Sequence, residues 1–332
     1  MLILNETTEM LSILGWTAIL AIGVVLLIKG ADFLVDGGAK IAAFLGVPTI
    51  IIGLTLVSFG TSLPELGASL NALFKNRQGI SVGNVIGSNI ANILLVLGVS
   101  SIIKPISVDV DVIKREIPLM FGAMFLFLLF AGPFLSDGYR IERWQGAILL
   151  IALIAYLLFF GSIVLRGEGE EVIGDMGDEK KTFKKRFDWS MNIFKVIGGL
   201  FGIIIGSELA IRSAIFYIER FDLIEGVVGL TIIALATSLP ELSTSSIAAF
   251  REEAEISLGN VIGSNTFNIL MVIGVSATII PLTFSGEIYS AFFVMIIAGV
   301  FLTISMYSGD KLSRIEGIVM LAGYFTYILY LY

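Results

Sequence analysis

The 332-residue chain contains no cysteine and no histidine, and only 15% of its residues are charged. Without cysteine there is neither a disulfide framework nor thiol chemistry. Without histidine there is no histidine proton relay and no His-ligated metal, so any bound metal ion must be held by oxygen atoms. The net charge of -7 argues against nucleic acid as a partner.

Apolar residues dominate the composition instead. They make up 56% of the chain, and its mean hydropathy is +0.95, far above that of a soluble domain. The 24 phenylalanines and 36 glycines suit membrane helices, in which small residues let neighbouring helices approach closely. We therefore predict an all-α integral membrane protein surrounded by the lipid bilayer. We expect no cofactor, and no obligatory protein partner is evident.

Ten segments are long and apolar enough to cross a bilayer, for which a helix needs roughly 20 apolar residues. They fall near residues 12–35, 48–74, 80–103, 112–134, 143–165, 191–218, 224–250, 256–280, 287–307 and 314–332. One long hydrophilic segment separates the first five from the last five. The sequence thus predicts a first five-span repeat at 1–165, a linker at 166–190 and a second five-span repeat at 191–332.

Lysine and arginine are unevenly divided between the two sides that these spans define. Thirteen fall on the side of the 166–190 linker and five on the other, while three lie too close to a span to be assigned. Because positive residues accumulate in cytoplasmic loops, we expect a cytoplasmic linker and both termini outside the plasma membrane. Residues 1–10 contain Glu6, Glu9 and no basic residue, so we expect no cleaved signal peptide.

Charged residues also occur near the ends of the first and sixth spans. They are Lys29, Asp32, Asp36 and Lys40 in the first span, and Glu208 and Arg212 in the sixth. Spacings of three and four residues place such side chains on one helix face, where they can pair with each other. A role in gating is the alternative.

The two halves share a repeated sequence at a constant offset of 176 residues. Gly60-Thr61-Ser62-Leu63-Pro64-Glu65 returns as Ala236-Thr237-Ser238-Leu239-Pro240-Glu241, and Gly-Asn-Val-Ile-Gly-Ser-Asn occurs at 83–89 and at 259–265. Between 53–74 and 229–250, 12 of 22 positions are identical. Shared hydrophobicity alone does not produce such agreement.

The number of spans between equivalent positions sets the symmetry of the fold. Five is odd, so the second half must cross the membrane in the opposite sense to the first. Inverted repeats of this kind place a site near the midplane where the halves meet, and let it face either side in turn. We predict ten transmembrane helices arranged as two inverted five-helix repeats, a pattern that favours transport.

A glutamate follows a proline in the middle of each repeated apolar segment, as Glu65 and Glu241. A charge at that depth in a membrane is costly and marks a functional site by default. A permanently protonated acid is the alternative. Each proline displaces the carbonyl four residues earlier, at Gly60 or Ala236, and loosens the neighbouring turn. The carbonyls from Ser58 to Thr61 and from Ala234 to Thr237, with Ser58 and Ala234 among them, are therefore candidate ligands.

Hydroxyl and amide side chains accompany each glutamate at helical spacing, which places them on one face of each helix. The further candidate metal ligands are Thr61, Ser62, Ser88 and Asn92 in the first half and Thr237, Ser238, Ser264 and Asn268 in the second. Two carboxylates would neutralise one Ca²⁺, which takes roughly 6–8 oxygen ligands, and Na⁺ sites could share the same oxygens. For any one of the neutral side chains, hydrogen bonding between helices is the alternative role.

These motifs resemble the two alpha-repeats of the sodium/calcium exchanger family, within the cation/calcium exchanger superfamily. The resemblance covers nearly the whole chain, including the ten-span plan, and is to the prokaryotic type with a short linker. It implies that Glu65 and Glu241 bind Ca²⁺ and share Na⁺ sites with the hydroxyls and amides named above. It also implies that Na⁺ carries more charge than Ca²⁺ in each cycle, so that exchange is electrogenic.

Three features depart from the family pattern. Asn268 stands where potassium-dependent and some archaeal relatives have aspartate, which argues against K⁺ co-transport. Ala236 stands where glycine is usual, so the backbone there is less free. The 166–190 linker is too short for the Ca²⁺-sensing domains of animal exchangers, and we expect no regulation of that kind.

The sequence therefore predicts a secondary antiporter that exchanges Na⁺ for Ca²⁺ by alternating access. A Ca²⁺/H⁺ exchanger of the same superfamily is the alternative, since two buried glutamates can also carry protons. A cation channel could use a similar oxygen cage, but inverted repeats around a shared site favour alternating access. We expect no enzyme, because the acids sit in a symmetric setting without an asymmetric nucleophile.

Overall fold

The computed structural model describes residues 2–46, 49–108, 110–132, 138–166, 188–220, 234–307 and 311–331, and all structural findings concern these residues. In the first half the helices are α1 (Leu2–Leu45), α2 (Thr49–Ile52), π1 (Gly53–Val57), α3 (Ser58–Thr61), α4 (Leu63–Phe74), α5 (Gln78–Ala91), π2 (Asn92–Val96), α6 (Leu97–Ile103), α7 (Val110–Ala131) and α8 (Arg143–Arg166). In the second half they are α9 (Trp189–Arg220), α10 (Leu239–Phe250), α11 (Ala254–Phe267), π3 (Asn268–Ile273), α12 (Gly274–Ile279), α13 (Gly286–Tyr307) and α14 (Arg314–Leu331).

Seven helical spans within the described residues are long and apolar enough to cross a membrane. They are Ser12–Leu45, Thr49–Phe74, Gln78–Ile103, Arg143–Ile163, Trp189–Ala210, Ala254–Ile279 and Arg314–Leu331, and Ala291–Tyr307 forms a shorter apolar helix. The predicted span at 112–134 corresponds to α7, while that at 224–250 begins in residues 221–233, outside the described part of the chain. Most of the predicted 166–190 linker also lies outside it. The exact number of ten spans stays a prediction.

The spans that carry the repeated polar motifs lie at the centre of the molecule. Gln78–Ile103 is 78% buried and Ala254–Ile279 is 83% buried, against 28% for Arg143–Ile163 and 17% for Arg314–Leu331. Polar side chains in a membrane helix are costly unless they face protein or water. The more apolar helices therefore surround the polar ones and present their side chains to lipid.

Two short antiparallel sheets join the halves of the chain. β1 (Ile106–Ser107) pairs with β4 (Lys311–Leu312), and β2 (Arg140–Ile141) pairs with β3 (Leu282–Thr283). Each strand of the first half thus pairs with a strand of the second half. Since β1 and β3 occupy equivalent positions of the repeat, the two pairings are related by the repeat itself.

Glycines let α1 and α9 cross at backbone contact. A Cβ atom added to Gly199 would lie 2.7 Å from the carbonyl oxygen of Gly30, and one added to Gly206 would lie 2.7 Å from that of Gly23. The contacting residue numbers rise along α1 while they fall along α9, so the two helices run antiparallel. Small residues at such positions allow the dispersion contacts on which helix packing in lipid depends.

The predicted pairing of charges along these two helices is confirmed in part. Lys40 Nζ lies 2.9 Å from Asp36 Oδ2, and Arg212 Nε lies 2.5 Å from Glu208 Oε1, each pair four residues apart. Such pairs stabilise a helix only weakly when they face water.

Asp32 pairs instead with a residue far along the chain. Arg251, which follows α10, lies 2.5 Å from Asp32 and 3.3 Å from Asp36, and Lys195 of α9 lies 2.5 Å from Asp36. Next to Arg251, the pKa of the exposed Glu252 is lowered by the ammonium group of Lys104. This network ties α1 and α9 to the loop between α10 and α11, whereas Glu208 and Arg212, at the equivalent positions in α9, pair with each other.

The glycine contacts predict different effects for two neighbouring substitutions in α9. Gly199→Ala forces its methyl group against the backbone of α1, and overpacking of this kind costs about 1–3 kcal/mol. We expect a lower midpoint of thermal unfolding in detergent for this variant. The matched control is Gly198→Ala, whose methyl group meets nothing within 4 Å and should leave the midpoint unchanged or raise it. Equal midpoints for the two variants would contradict the close contact of α1 and α9.

Candidate cation-binding site

A break in each motif helix places a glutamate at a new helix start. Ser62 has φ -82° and ψ 1°, and Ser238 has φ -82° and ψ 3°, both outside the helical region. The helices that follow, α4 and α10, each carry the motif proline and glutamate in their first turn. Proline lacks an N–H and suits this position, and the positive end of the helix dipole favours a carboxylate there.

The two backbone carbonyls predicted as ligands keep a helical hydrogen bond. The N–H of Ser62 donates to the carbonyl of Ser58 at 3.0 Å, and the N–H of Ser238 donates to that of Ala234 at 3.0 Å. The hydroxyl oxygen of Thr237 also lies 3.2 Å from the Ala234 carbonyl oxygen. The prolines therefore do not release these two carbonyls, and each has at most a remaining lone pair to offer a cation.

The carboxylates of Glu65 and Glu241 are fully buried and lie close enough for the charge of Glu241 to act on Glu65. None of their four oxygens has a hydrogen-bond partner among the described residues. Hydroxyl groups lie close to both carboxylates: Thr237 of the opposite half lies beside Glu65, while Thr61 of the opposite half and Ser264 of the same half lie beside Glu241. The fold thus brings the two predicted acidic ligands together.

Four neutral oxygens in the motifs are likewise buried and unpartnered among the described residues. They are Ser62 Oγ, Ser238 Oγ, Asn92 Oδ1 and Asn268 Oδ1, two equivalent pairs of the repeat. Other unpartnered atoms include the hydroxyls of Ser81, Ser100, Ser257 and Ser276 and one oxygen of Glu116. A hydroxyl can rotate, so the carboxylate and amide oxygens are the more informative members of the set.

Hydroxyls from the two halves meet at the remaining predicted positions. Thr61 Oγ1 lies 3.2 Å from Ser264 Oγ, and Ser88 Oγ lies 3.3 Å from Thr237 Oγ1. These contacts are equivalent under the repeat, so the site has an approximate two-fold symmetry. All the predicted side-chain ligands therefore lie in the buried contact region between the halves.

Two asparagines of the repeated motif hold the threonines in place. Thr61 donates to Asn260 Oδ1 at 3.1 Å, and Thr237 donates to Asn84 Oδ1 at 3.2 Å. The asparagine amides donate in turn to serines one helix away, Asn260 to Ser245 and Asn84 to Ser69. Asn84 and Asn260 precede Ser88 and Ser264 by four residues, so helical spacing also places them on the predicted stripes of oxygen ligands.

Three π-helical segments interrupt the motif helices. Asn92 opens π2 and Asn268 opens π3, while π1 runs from Gly53 to Val57. π-Helical turns are rare and often mark functional sites. In π1 the carbonyl of Leu54 accepts a hydrogen bond from the hydroxyl of Tyr156 at 3.3 Å. No simple sequence pattern indicates these turns.

Glycines in α11 set how closely the halves approach. A Cβ atom on Gly259 would lie 2.6 Å from the carbonyl oxygen of Ile50, and one on Gly263 would lie 2.6 Å from that of Leu54. The prediction that glycines let neighbouring membrane helices approach closely is confirmed at these two positions. Because the backbones touch here, the site suits a small ion rather than a large substrate.

Gly60 lies against a side chain of α9. A methyl group at Gly60 would overlap the side chain of Leu200 in α9. The residue equivalent to Leu200 is the shorter Val24, and Ala236 is accommodated in a buried position. The two halves of the site are therefore similar but not identical.

The chemistry of the donor set fits a hard cation. No group of three or more His, Cys, Asp or Glu side chains capable of holding a metal ion occurs in the part of the chain that the structure describes. The two carboxylates therefore depend on neutral oxygens to complete any coordination shell. Carboxylate, amide and hydroxyl oxygens are ligands of Ca²⁺, Mg²⁺ and Na⁺ rather than of soft metals.

The family profile described as "Sodium/calcium exchanger protein" matches residues 15–161 and 191–332. The chain belongs to the sodium/calcium exchanger family. Relatives align over nearly its whole length: the sodium/calcium exchanger MaX1 of Methanosarcina acetivorans is 33% identical, covering 95% of this chain and 97% of its own. The putative antiporter CaxA of Alkalimonas amylolytica is 34% identical, covering 94% and 97%.

Solved structures of an exchanger agree with this assignment. One structure of the sodium-calcium exchanger NCX_Mj matches with a TM-score of 0.80 at 31% sequence identity, covering 96% of this chain and 99% of that chain. As a member of this family of transmembrane antiporters, the chain is an integral membrane protein that exchanges cations including Ca²⁺. The family resemblance expected from the repeated motifs is thus confirmed.

The hydroxyl contacts between the halves predict a loss of apparent Ca²⁺ affinity when one hydroxyl is removed. Thr237→Val deletes the group beside Glu65 and its bond to Asn84, and loss of such a partner typically weakens metal affinity about 10–100-fold. The measurement is the Ca²⁺ concentration for half-maximal uptake into proteoliposomes. Thr266→Val is the matched control, since Thr266 is also buried but donates only within its own helix, to Ile262. Similar shifts in both variants would refute a specific role for Thr237.

Proposed function

We propose that this exchanger moves Ca²⁺ across the membrane in exchange for Na⁺, with Glu65 and Glu241 as the shared ligands. The observation that carries the proposal is the pair of fully buried carboxylates, one from each half, whose oxygens lack partners among the described residues. Two buried negative charges without a counter-charge are very costly in a membrane interior. One Ca²⁺ would neutralise both.

The neutral oxygens around the carboxylates support Na⁺ as the exchanged ion. A proton needs only a carboxylate oxygen, whereas Na⁺ needs further oxygen ligands. The unpartnered hydroxyls of Ser62 and Ser238 and amide oxygens of Asn92 and Asn268 are of the kind that supplies them. In the same cage Ca²⁺ is favoured over Mg²⁺, because Mg²⁺ gives up its hydration water reluctantly. Competition of Na⁺ and Ca²⁺ for two glutamates then couples their movements.

We further propose that the fold consists of ten transmembrane helices in two inverted repeats, with units at 1–165 and 191–332 joined by the 166–190 linker. Several contacts support this arrangement. Lys104 forms an ion pair with Glu252 in the loop that contains Arg251, and strand β1 pairs with strand β4. Both contacts join connections that are expected on the same side of the membrane. The pairing of β2 with β3 groups connections expected on the other side.

The same arrangement sets the proposed orientation. With the linker on the cytoplasmic side, the loop that contains Arg251 faces the cytoplasm, and so does the part of α1 that pairs with this loop. Both termini then lie outside the plasma membrane. The ion pairs of α1 differ from those at the equivalent positions of α9. This difference fits a state in which access to the site is closed more tightly on one side of the membrane than on the other. If α1 and α9 swapped these two ion-pair arrangements, the site would open to the other side of the membrane, which is alternating access.

Replacing either motif glutamate should abolish exchange. Glu65→Gln and Glu241→Gln each remove one of the two charges that neutralise Ca²⁺, and we expect Ca²⁺ uptake into Na⁺-loaded proteoliposomes to fall to the level of protein-free vesicles. Glu252→Gln is the matched control, because Glu252 is exposed in a loop and pairs with Lys104. Retained uptake in both site variants would remove the glutamates from the mechanism.

The same vesicles separate the candidate coupling ions. Uptake driven by an outward Na⁺ gradient, and not by K⁺, Li⁺ or proton gradients, is the expected result. Uptake driven by a proton gradient without Na⁺ would identify the Ca²⁺/H⁺ exchanger instead. Single-channel currents in planar bilayers would identify a channel.

Acid should inhibit Ca²⁺ uptake by competition. A protonated carboxyl group is neutral and cannot balance the charge of Ca²⁺, so lowering the pH from about 8 to about 5 should raise the half-saturating Ca²⁺ concentration. Saturating Ca²⁺ should restore most of the rate. A half-saturating concentration that stays constant over this range would contradict shared use of the carboxylates by protons and cations.

A further inference from the structure

Two asparagines that are not among the proposed ligands cross-link the two halves next to the site. Asn268 Nδ2 donates to Asn89 Oδ1 at 3.0 Å, and Asn92 Nδ2 donates to Asn265 Oδ1 at 3.2 Å. The two bonds are equivalent under the repeat, and all four side chains are fully buried. Each proposed amide ligand is therefore held by an asparagine of the opposite half.

The direction of the first bond is determined by a group that can only accept. Asn89 Nδ2 donates to the backbone carbonyl of Asn265 at 3.2 Å, and a carbonyl oxygen has no proton to give. Asn89 must therefore place its nitrogen at that carbonyl and its Oδ1 towards Asn268. Asn268 then has to present its nitrogen to Asn89, which leaves its own Oδ1 without a partner among the described residues.

The direction of the second bond is determined by a thioether, which likewise can only accept. Asn265 Nδ2 lies 3.8 Å from the sulfur of Met120, a weak acceptor with no proton to donate. The Oδ1 of Asn265 is thereby left to accept from Asn92, whose own Oδ1 then has no partner in the described structure. Asn89 makes the corresponding sulfur contact, to Met295 at 3.6 Å.

We infer that Asn89 and Asn265 are positioning residues that fix the orientation of the Asn268 and Asn92 amides, so that each presents oxygen to the transported cation. This inference rests on the proposed function, in which those two amides are ligands. An amide turned by half a rotation would present its NH₂ group, which repels a cation. These contacts therefore orient two ligands of the site without adding charge, and neither positioning residue touches the ion.

Removing one positioning residue should weaken Ca²⁺ binding at nearly unchanged maximal rate. Asn89→Leu keeps the side-chain volume but deletes the acceptor, so the Asn268 amide can turn its nitrogen towards the ion. We expect the KM for Ca²⁺ uptake to rise about tenfold or more, as for other groups that orient metal ligands, while the maximal rate stays within about twofold. Asn265→Leu should act equally through Asn92. Ile90→Val, at the neighbouring buried position, should leave KM unchanged.

A second substitution separates positioning from packing. Asn268→Asp replaces the amide by a carboxylate with oxygen at both ends, so its orientation no longer matters. In the Asn268→Asp background Asn89 Oδ1 faces a carboxylate oxygen instead of an N–H donor, so adding Asn89→Leu should leave KM unchanged or lower it. An equal rise of KM in both backgrounds, or no rise with Asn89→Leu alone, overturns the inference.

The remaining outcomes are also decisive. If Asn268→Asp and Asn92→Asp each abolish Ca²⁺ binding measured by calorimetry, the amides do not serve as interchangeable oxygen ligands and the inference fails. The proposed function fails by a different result, the retained uptake of Glu65→Gln and Glu241→Gln. Calorimetric Ca²⁺ affinity of the purified full-length protein is independent of whether Na⁺ or protons drive transport.

Discussion

Two carboxylates buried against each other in the interior of a membrane protein are the constraint on which this structure depends. Transferring one unpaired charge from water to an apolar interior is very costly, and two like charges at short range add repulsion. Among the described residues no lysine or arginine pairs with Glu65 or Glu241, and no hydrogen-bond donor meets their oxygens. In the proposed function, a cation from solution supplies the counter-charge.

The rest of the fold can be understood from the need of the two carboxylates for a counter-charge. The helix breaks at Ser62 and Ser238 place each carboxylate at a positive helix end, and the glycines of α11 bring the opposite half into backbone contact. Hydroxyls and amides then reach across from each half to the other. Because the hydroxyl and asparagine contacts between the halves occur as equivalent pairs, a movement of one half relative to the other changes both sides of the site together.

The sequence predicts the acidic ligands, the repeat and the class of fold because each leaves a local signal. A charge beside a proline in an apolar run is visible without any structure, and an offset of 176 residues reveals that the pattern is duplicated. Helical spacing then places Thr61 and Ser62 on one helix face with Glu65, and Ser88 and Asn92 on one face of the next span. The contacts of these residues with their counterparts follow once the halves are brought together.

Other features could not be predicted because they depend on the partner that a side chain meets. Asp32 looks like part of a helix-end cluster, yet it pairs with Arg251, more than two hundred positions away. A loosened turn before each proline predicts that the carbonyls of Ser58 and Ala234 lose their helical donors, but the N–H groups of Ser62 and Ser238 still donate to them. The role of Asn89 depends on which end of its amide faces the Asn265 carbonyl, and spacing carries no information on that choice.

The central claim is that both halves build one cation site that Ca²⁺ and Na⁺ use in turn. Calorimetric titration of the purified protein with Ca²⁺ at several fixed Na⁺ concentrations tests it most directly. We expect a single Ca²⁺ bound per chain, with an affinity that falls as Na⁺ rises and a dependence on Na⁺ steeper than first order. Two independent Ca²⁺ sites, or an affinity indifferent to Na⁺, would contradict it.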